Sequence, residues 1–307
     1  MSPKMARRRK LFIALQITAL VVFLGFLGFA FRDSWSEAAP LIRDANVTDL
    51  VISGVLLAAY YLLFVLGWLW ILHALHIRIG YRIALQAEMV SMLAKYVPGG
   101  VWTPAARVVA MRRYGITATP VVLGSIALEA GLSAVAGVLV FIVSLPTVED
   151  SDAPLEPLLA FAAIVAVLVH PRIFRPLARR LLKPFGASEL PPIPYLTLVG
   201  LISYYAVTWV FGGLAILYLI RSLGGDVGLD AVPYLGGVGA VGAIVAVLSV
   251  IAPSGLGVRE ASMYGLMLAV TTSPIALGAT VLNRLAITLV EAALLLAGAL
   301  AGAFKKP

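Results

Sequence analysis

Apolar positions in this chain neither alternate nor form stripes; they run without interruption. A helix needs about 20 apolar residues, with a range of about 17 to 25, to cross the ~30 Å hydrocarbon core of a bilayer. Runs of that kind occupy 11–31, 51–76, 119–145, 155–171, 195–220 and 274–303. Two further stretches are apolar but broken. Residues 83–97 lead into Pro98-Gly99-Gly100 and a semi-polar helix ending near Arg112 and Arg113, and residues 231–252 lead into Pro253-Ser254-Gly255-Leu256-Gly257 and a helix through about 270. Broken backbone at membrane depth is tolerated only where protein or a water-filled cavity covers it. Both stretches therefore read as re-entrant hairpins that return to the side they entered.

Composition closes off the soluble readings. Only 12% of the 307 residues are charged and 61% are hydrophobic, whereas a soluble domain carries about 25% charged residues. The absence of cysteine excludes disulfides, thiolate metal sites and cysteine nucleophiles, and three histidines (His73, His76, His170) are too few and scattered for an imidazole metal site. No metal or cofactor is expected. The net charge of +8 invites nucleic acid, but its clusters fall between apolar runs, as the positive-inside rule requires. The first run follows Lys4, Arg7, Arg8, Arg9 and Lys10; it is too long for a signal h-region and lacks a cleavage site, so it reads as a retained anchor. Basic residues then gather at 73–82, 172–183 and 305–306, and acids in the loops at 33–49, 149–156 and 226–230. Every loop agrees with both termini in the cytoplasm of a multi-pass cell-membrane protein.

An internal repeat organises the spans. Thr119-Pro120-Val121-Val122-Leu123-Gly124 reads against Ser273-Pro274-Ile275-Ala276-Leu277-Gly278 at an offset of 154, and Pro98-Gly99-Gly100 superposes on Pro253-Ser254-Gly255 at 155. Each half holds a span, a broken hairpin and a span that opens with a hydroxyl residue and proline, a helix-start signature. Repeat 1 covers 51–145 and repeat 2 covers 195–303, with 155–171 as a linking span. Counting crossings gives the halves opposite orientation, the inverted-topology construction of alternating-access transporters. The expected fold is an all-α polytopic membrane protein, a single transmembrane domain of six full spans and two opposed hairpins.

The charges inside apolar sequence are the candidates for chemistry. Helices restarting after the two breaks would aim free N–H groups inward, and such ends attract anions. Lys95 precedes the first break, Arg107 follows it, and Arg259-Glu260 follows the second. Lys95, Arg107 and Arg259 can thus bind a phosphate beside the hairpin tips, including Gly257. The alternative is an internal ion pair, for example Arg259 or Arg284 with Glu129, locking the hairpins to the bundle. Glu129, with Asn283 aligned to it and Arg284 next, sits ten residues into its span; a carboxylate at that depth can carry protons. Glu88 and Glu291 are weaker candidates of the same kind. Trp35, Trp68, Trp70, Trp102 and Trp209 read as interface anchors, and Trp102 beside the break can alternatively meet a lipid chain. The run Gly236, Gly237, Gly239, Gly242 reads as close helix packing, with no phosphate-loop lysine.

Lys95-Tyr96-Val97-Pro98-Gly99-Gly100-Val101-Trp102 followed by Arg107 resembles the first signature of the lysylphosphatidylglycerol synthase transmembrane-region family, the flippase-like membrane proteins. Pro253-Ser254-Gly255-Leu256-Gly257-Val258-Arg259-Glu260-Ala261 resembles its second. The resemblance covers nearly the whole chain and implies translocation of a lipid or lipid-linked saccharide. Family members often carry an arginine after the glutamate of the first repeated span, where this chain has Ala130, and a glycine before the first-signature arginine, where it has Ala106. The resemblance also implies that a chain ending at Pro307 without the soluble aminoacyl transferase does not make lysyl-lipid itself. The expected function is movement of an anionic phospholipid or polyprenyl-phosphate carrier between leaflets, by a transporter rather than an enzyme. Two rivals stand beside it: a non-transporting partner of a lipid-modifying or glycosyl transferase, and a membrane enzyme acting on lipid head groups through Glu129 and Glu260.

Overall fold

The computed structural model describes residues 32–96, 102–148, 155–183, 190–249 and 255–303. Among them are α1 (Arg32–Arg43), α2 (Val47–Ala74), α3 (Tyr81–Leu93, continued by a 3-10 turn over Ala94–Tyr96), α4 (Trp102–Arg113), α5 (Thr119–Ser144), α6 (Leu155–Val169), α7 (Pro171–Leu182), α8 (Tyr195–Ser222), α9 (Val232–Leu248), α10 (Val258–Met267) and α11 (Ser273–Ala303), with no strand.

Among the described residues five stretches are long and apolar enough to cross a membrane: Val47–Ala74, Thr119–Thr147, Tyr195–Ser222, Leu229–Leu248 and Ser273–Ala297. Four of them coincide with expected spans. The fifth is the first arm of the second broken stretch. Of its most apolar window 67% is buried in the protein, against 28% for Val47–Ala74, so α9 is wrapped mainly by other helices.

The run at 155–171, expected as a linking span, holds α6, described over Leu155–Val169. His170 ends it and opens α7: its side chain accepts the Arg172 N–H at 3.4 Å, and Pro171 takes the first helical position, where a missing N–H is harmless. The acidic segment read as a loop before residue 47 contains α1, which buries Ala38 and lays Leu41 and Ile42 on the core beside α11. The anchor at 11–31 lies outside the described residues.

At the centre α2 packs along α8. Ser53 Oγ donates to the Ala215 carbonyl at 2.8 Å and Tyr204 Oη to the Leu63 carbonyl at 2.7 Å. Glycines set the spacing. A Cβ on Gly67 would lie 2.6 Å from Tyr205 Oη, and one on Gly236 would lie 2.5 Å from the Trp209 carbonyl oxygen. The glycine-rich run therefore lets α9 come within backbone contact of α8, and Gly237 faces Phe141 of α5 in the same way. The partners recur in the two halves: α3 packs on α11, and α9 packs on α5.

Trp68 and Trp209 are not interface anchors. They are 0% and 6% exposed, and each indole N–H is satisfied in the core, by Ser125 Oγ at 3.0 Å and the Ser133 carbonyl at 2.9 Å. A buried indole needs such a partner. Trp35, Trp70 and Trp102 are exposed.

Candidate functional site

Two charged clusters form where the broken stretches meet the bundle. The first centres on Arg107, in the middle of α4. One guanidinium nitrogen donates to Glu129 Oε2 of α5 at 2.5 Å, another pairs with Glu88 Oε1 of α3, and Nε reaches Ser91 Oγ at 3.4 Å. The guanidinium lies over Trp68 of α2, 4.6 Å from the ring centroid, a cation–π contact strengthened by exclusion of water. Arg107, Glu88, Glu129 and Ser91 are 4%, 3%, 6% and 0% exposed. Four elements of one half of the chain thus converge on one cation and enclose it.

The second cluster joins the two halves. Lys95, in the turn after α3, pairs with Glu291 of α11, and the same carboxylate oxygen accepts the Tyr61 hydroxyl of α2 at 2.7 Å. Arg259 and Arg284 lie within electrostatic reach of Lys95, and Arg259 of Tyr60 and Tyr61. Arg284 pairs with Glu260 at 3.5 Å. Lys95, Arg259, Glu260 and Arg284 are only half-buried. Among the described residues Arg259 makes no ion pair. Among the described residues three cations stand against two carboxylates, one positive charge in surplus.

The turn before α10 explains its glycines. Gly255 and Gly257 adopt φ of +64° and +84°, a region that side chains make costly. A Cβ on Gly255 would also strike Ala246 at 2.2 Å. The Gly257 N–H donates to Glu260 Oε2 at 2.6 Å, so the carboxylate of Glu260 caps the helix that it begins.

A family model described as Lysylphosphatidylglycerol synthase TM region matches residues 16–294. The chain belongs to that family. No curated protein matches the chain. As a member of the lysylphosphatidylglycerol synthase TM region family with five helices apolar and long enough to cross, it is a multi-pass membrane protein.

In this family member the structure separates the residues singled out from the sequence. Lys95, Arg259, Glu260 and Arg284 come together, and Glu291 joins them. Arg107 does not; its donors are spent on two carboxylates. The pairing of Glu129 with Arg259 or Arg284 is corrected, since Glu129 takes Arg107 and Arg284 takes Glu260. At the α10 start the N–H of Gly257 is taken by the Glu260 carboxylate. Asn283 is buried and turns its amide toward the Met263 thioether at 3.7 Å, with no charged partner in that bond. Trp102 is 42% exposed at the start of α4. Pro98, Gly99, Gly100, Pro253 and Ser254 lie outside the described residues. His73 Nε2 meets the Ile79 carbonyl at 2.9 Å, closing the turn between α2 and α3. Among the described residues no three His, Asp or Glu side chains gather as a metal site.

Sequence reasoning ranked Glu88 and Glu291 low and overlooked Ser91, Trp68 and Tyr61 as partners. The signal for the two acids was present, because a carboxylate inside an apolar helix needs a cation. Nothing in the spacing of Trp68 distinguishes a ring beneath a guanidinium from one at a headgroup.

Proposed function

We propose that this protein moves an anionic lipid, a phospholipid or a polyprenyl-phosphate carrier, between the leaflets of the cell membrane. The single observation that carries the reading is the surplus cation of the Lys95–Arg259–Arg284 cluster, half-buried between the two halves of the chain. Charges inside a membrane are costly and ordinarily paired, and a phosphate is the partner that an unpaired arginine there fits. Arg259, Lys95 and Arg284 would hold the headgroup while the chains stay in lipid. Lowering the desolvation cost of the headgroup is the work such a site performs.

The recurring partners support inverted-topology repeats, α2–α5 against α8–α11, with each broken stretch acting as a re-entrant hairpin seated on the last helix of the other half. In that arrangement both termini lie in the cytoplasm. The protein acts as a transporter rather than an enzyme: Glu129 and Glu260, the pair an acid–base mechanism would use, are each held by a different arginine. Pairing of the Glu129 carboxylate with Arg107 also argues against it as a freely exchanging proton carrier.

Leaflet exchange of labelled phosphatidylglycerol and polyprenyl phosphate in proteoliposomes tests the reading. Wild type is expected to exchange one of them, and folded Arg259→Gln to lose that exchange. Absence of exchange for both lipids, with and without a proton gradient, would sink the transporter reading and favour a partner of a separate transferase.

A further inference from the structure

Outside the central cluster, α7 divides its surface more sharply than any membrane-crossing helix here. At about 100° per residue, Ile173, Phe174, Leu177, Ala178, Leu181 and Leu182 fall on one side of the wheel. Arg172, Arg175, Arg179, Arg180 and Lys183 fall on the other, and α7 itself contains no acidic residue. The apolar side is divided again. Ala178 is buried and Phe174 packs on the core, whereas Ile173, Leu177 and Leu181, one turn apart, are 40%, 37% and 63% exposed.

The basic side is concave. Arg172, Arg175 and Arg179 line a cavity of about 240 Å³ with Pro171, Pro176 and Leu190. A wider hollow shares Arg172, Pro176 and Arg179 and continues onto Ile173 and Leu177. A surface that passes from three guanidiniums to an aliphatic stripe has the polarity profile of a phospholipid.

We propose that α7 lies in the membrane interface and docks an anionic phospholipid of the adjacent leaflet, with the phosphate among Arg172, Arg175 and Arg179 and the acyl chains along Ile173, Leu177 and Leu181. A helix in water would not expose that aliphatic stripe, and one inside the bilayer would not carry five cations. The interface satisfies both faces at once. Charge complementarity selects an anionic headgroup over a zwitterionic one. This site is independent of the Lys95–Arg259 cluster, and its occupancy does not require that lipid be moved.

The absence of cysteine from the 307 residues allows a clean test on the whole chain. Leu181→Cys, labelled with an environment-sensitive fluorophore, is placed in nanodiscs of phosphatidylglycerol or of phosphatidylcholine. Separately, lipid retained from an equimolar mixture is counted by native mass spectrometry for wild type and for Arg172→Gln/Arg179→Gln. The expected results are a blue-shifted probe in both nanodiscs and preferential retention of phosphatidylglycerol. Retention should weaken by about fivefold for each arginine removed. A probe that stays in water in phosphatidylglycerol nanodiscs assigns the face to a protein partner and overturns the proposal. Equal retention of the two lipids by wild type, or an unchanged preference in the folded double variant, overturns it as well.

Discussion

The clusters around Arg107 and Arg259 are built from the same materials, guanidiniums and carboxylates on otherwise apolar helices, but they differ in closure and in balance. Around Arg107 one cation faces two carboxylates, every member is at most 6% exposed, and all the contributing helices belong to one half of the chain. Around Arg259 three cations face two carboxylates, Lys95 and Glu260 retain side-chain exposures of 19% and 21%, and the members come from both halves. The first arrangement spends its charge on holding α3, α4 and α5 together over Trp68. The second keeps a charge in hand at a junction. Buried charge alone does not mark a binding site; what separates the two is whether each donor already has its acceptor.

Removing the central cation should break the comparison most visibly. Arg107→Met leaves Glu88 and Glu129 buried without a counter-charge, and breaking a buried pair this way costs about 3–5 kcal/mol. The variant is expected to lose most of its thermal stability in detergent, read by size-exclusion thermostability, whereas Arg259→Met should shift it by no more than about 1 kcal/mol. An Arg107→Met protein as stable as wild type but silent in leaflet exchange would return Arg107 to the list of ligand residues.

The carboxylates sharpen the same contrast at smaller amplitude. Glu88→Gln leaves Arg107 and Glu129 paired one to one and keeps a polar group at the site. Its cost is expected near that of a hydrogen bond to a charged group, about 1.5–3 kcal/mol. Glu291→Gln should cost less, because Lys95 still reaches water. It also raises the cationic surplus, so affinity for inorganic phosphate measured by calorimetry is expected to rise. Unchanged phosphate affinity in Glu291→Gln would show that Lys95 does not face the ligand.

Much of this fold is legible in the sequence, because lipid leaves a helix little freedom in length or polarity. The runs at 51–76, 119–145, 195–220 and 274–303 become α2, α5, α8 and α11, and the glycine run becomes the close approach of α9. What was not legible depends on neighbours. Hydropathy marks 155–171 as a span, but the basic segment after it, read as a loop, is the amphipathic helix α7 that His170-Pro171 opens. The candidate site divides along the same line. That Lys95, Arg107, Glu129, Arg259 and Arg284 matter could be read from charges in apolar surroundings, but which acid each cation takes could not. Glu88 and Glu129 lie 41 residues apart in the chain and share one guanidinium, and Lys95 reaches 196 residues to Glu291. Such pairings follow from the packing of the broken stretches against the other helices, which no local pattern encodes.

The smallest predicted effect isolates the floor of the closed cluster. Trp68 lies under Arg107 with its indole N–H on Ser125 Oγ. Trp68→Phe keeps an aromatic face for the guanidinium but loses that donor. The Ser125 hydroxyl still donates to the Val122 carbonyl at 2.7 Å, so no buried donor on Ser125 is stranded. The expected loss is about 0.5–1.5 kcal/mol, the ordinary net value of a neutral hydrogen bond, with leaflet exchange intact. Trp68→Leu also removes the quadrupole beneath a desolvated cation, an interaction of about 2 kcal/mol in that setting. Leucine should therefore destabilise clearly more than phenylalanine, again without loss of exchange in whatever fraction stays folded. Equal stability of the two variants would mean that the ring supports Arg107 only by filling space. Loss of exchange in a stable Trp68→Phe protein would mean that the closed cluster takes part in transport, and the division between the two clusters would fall.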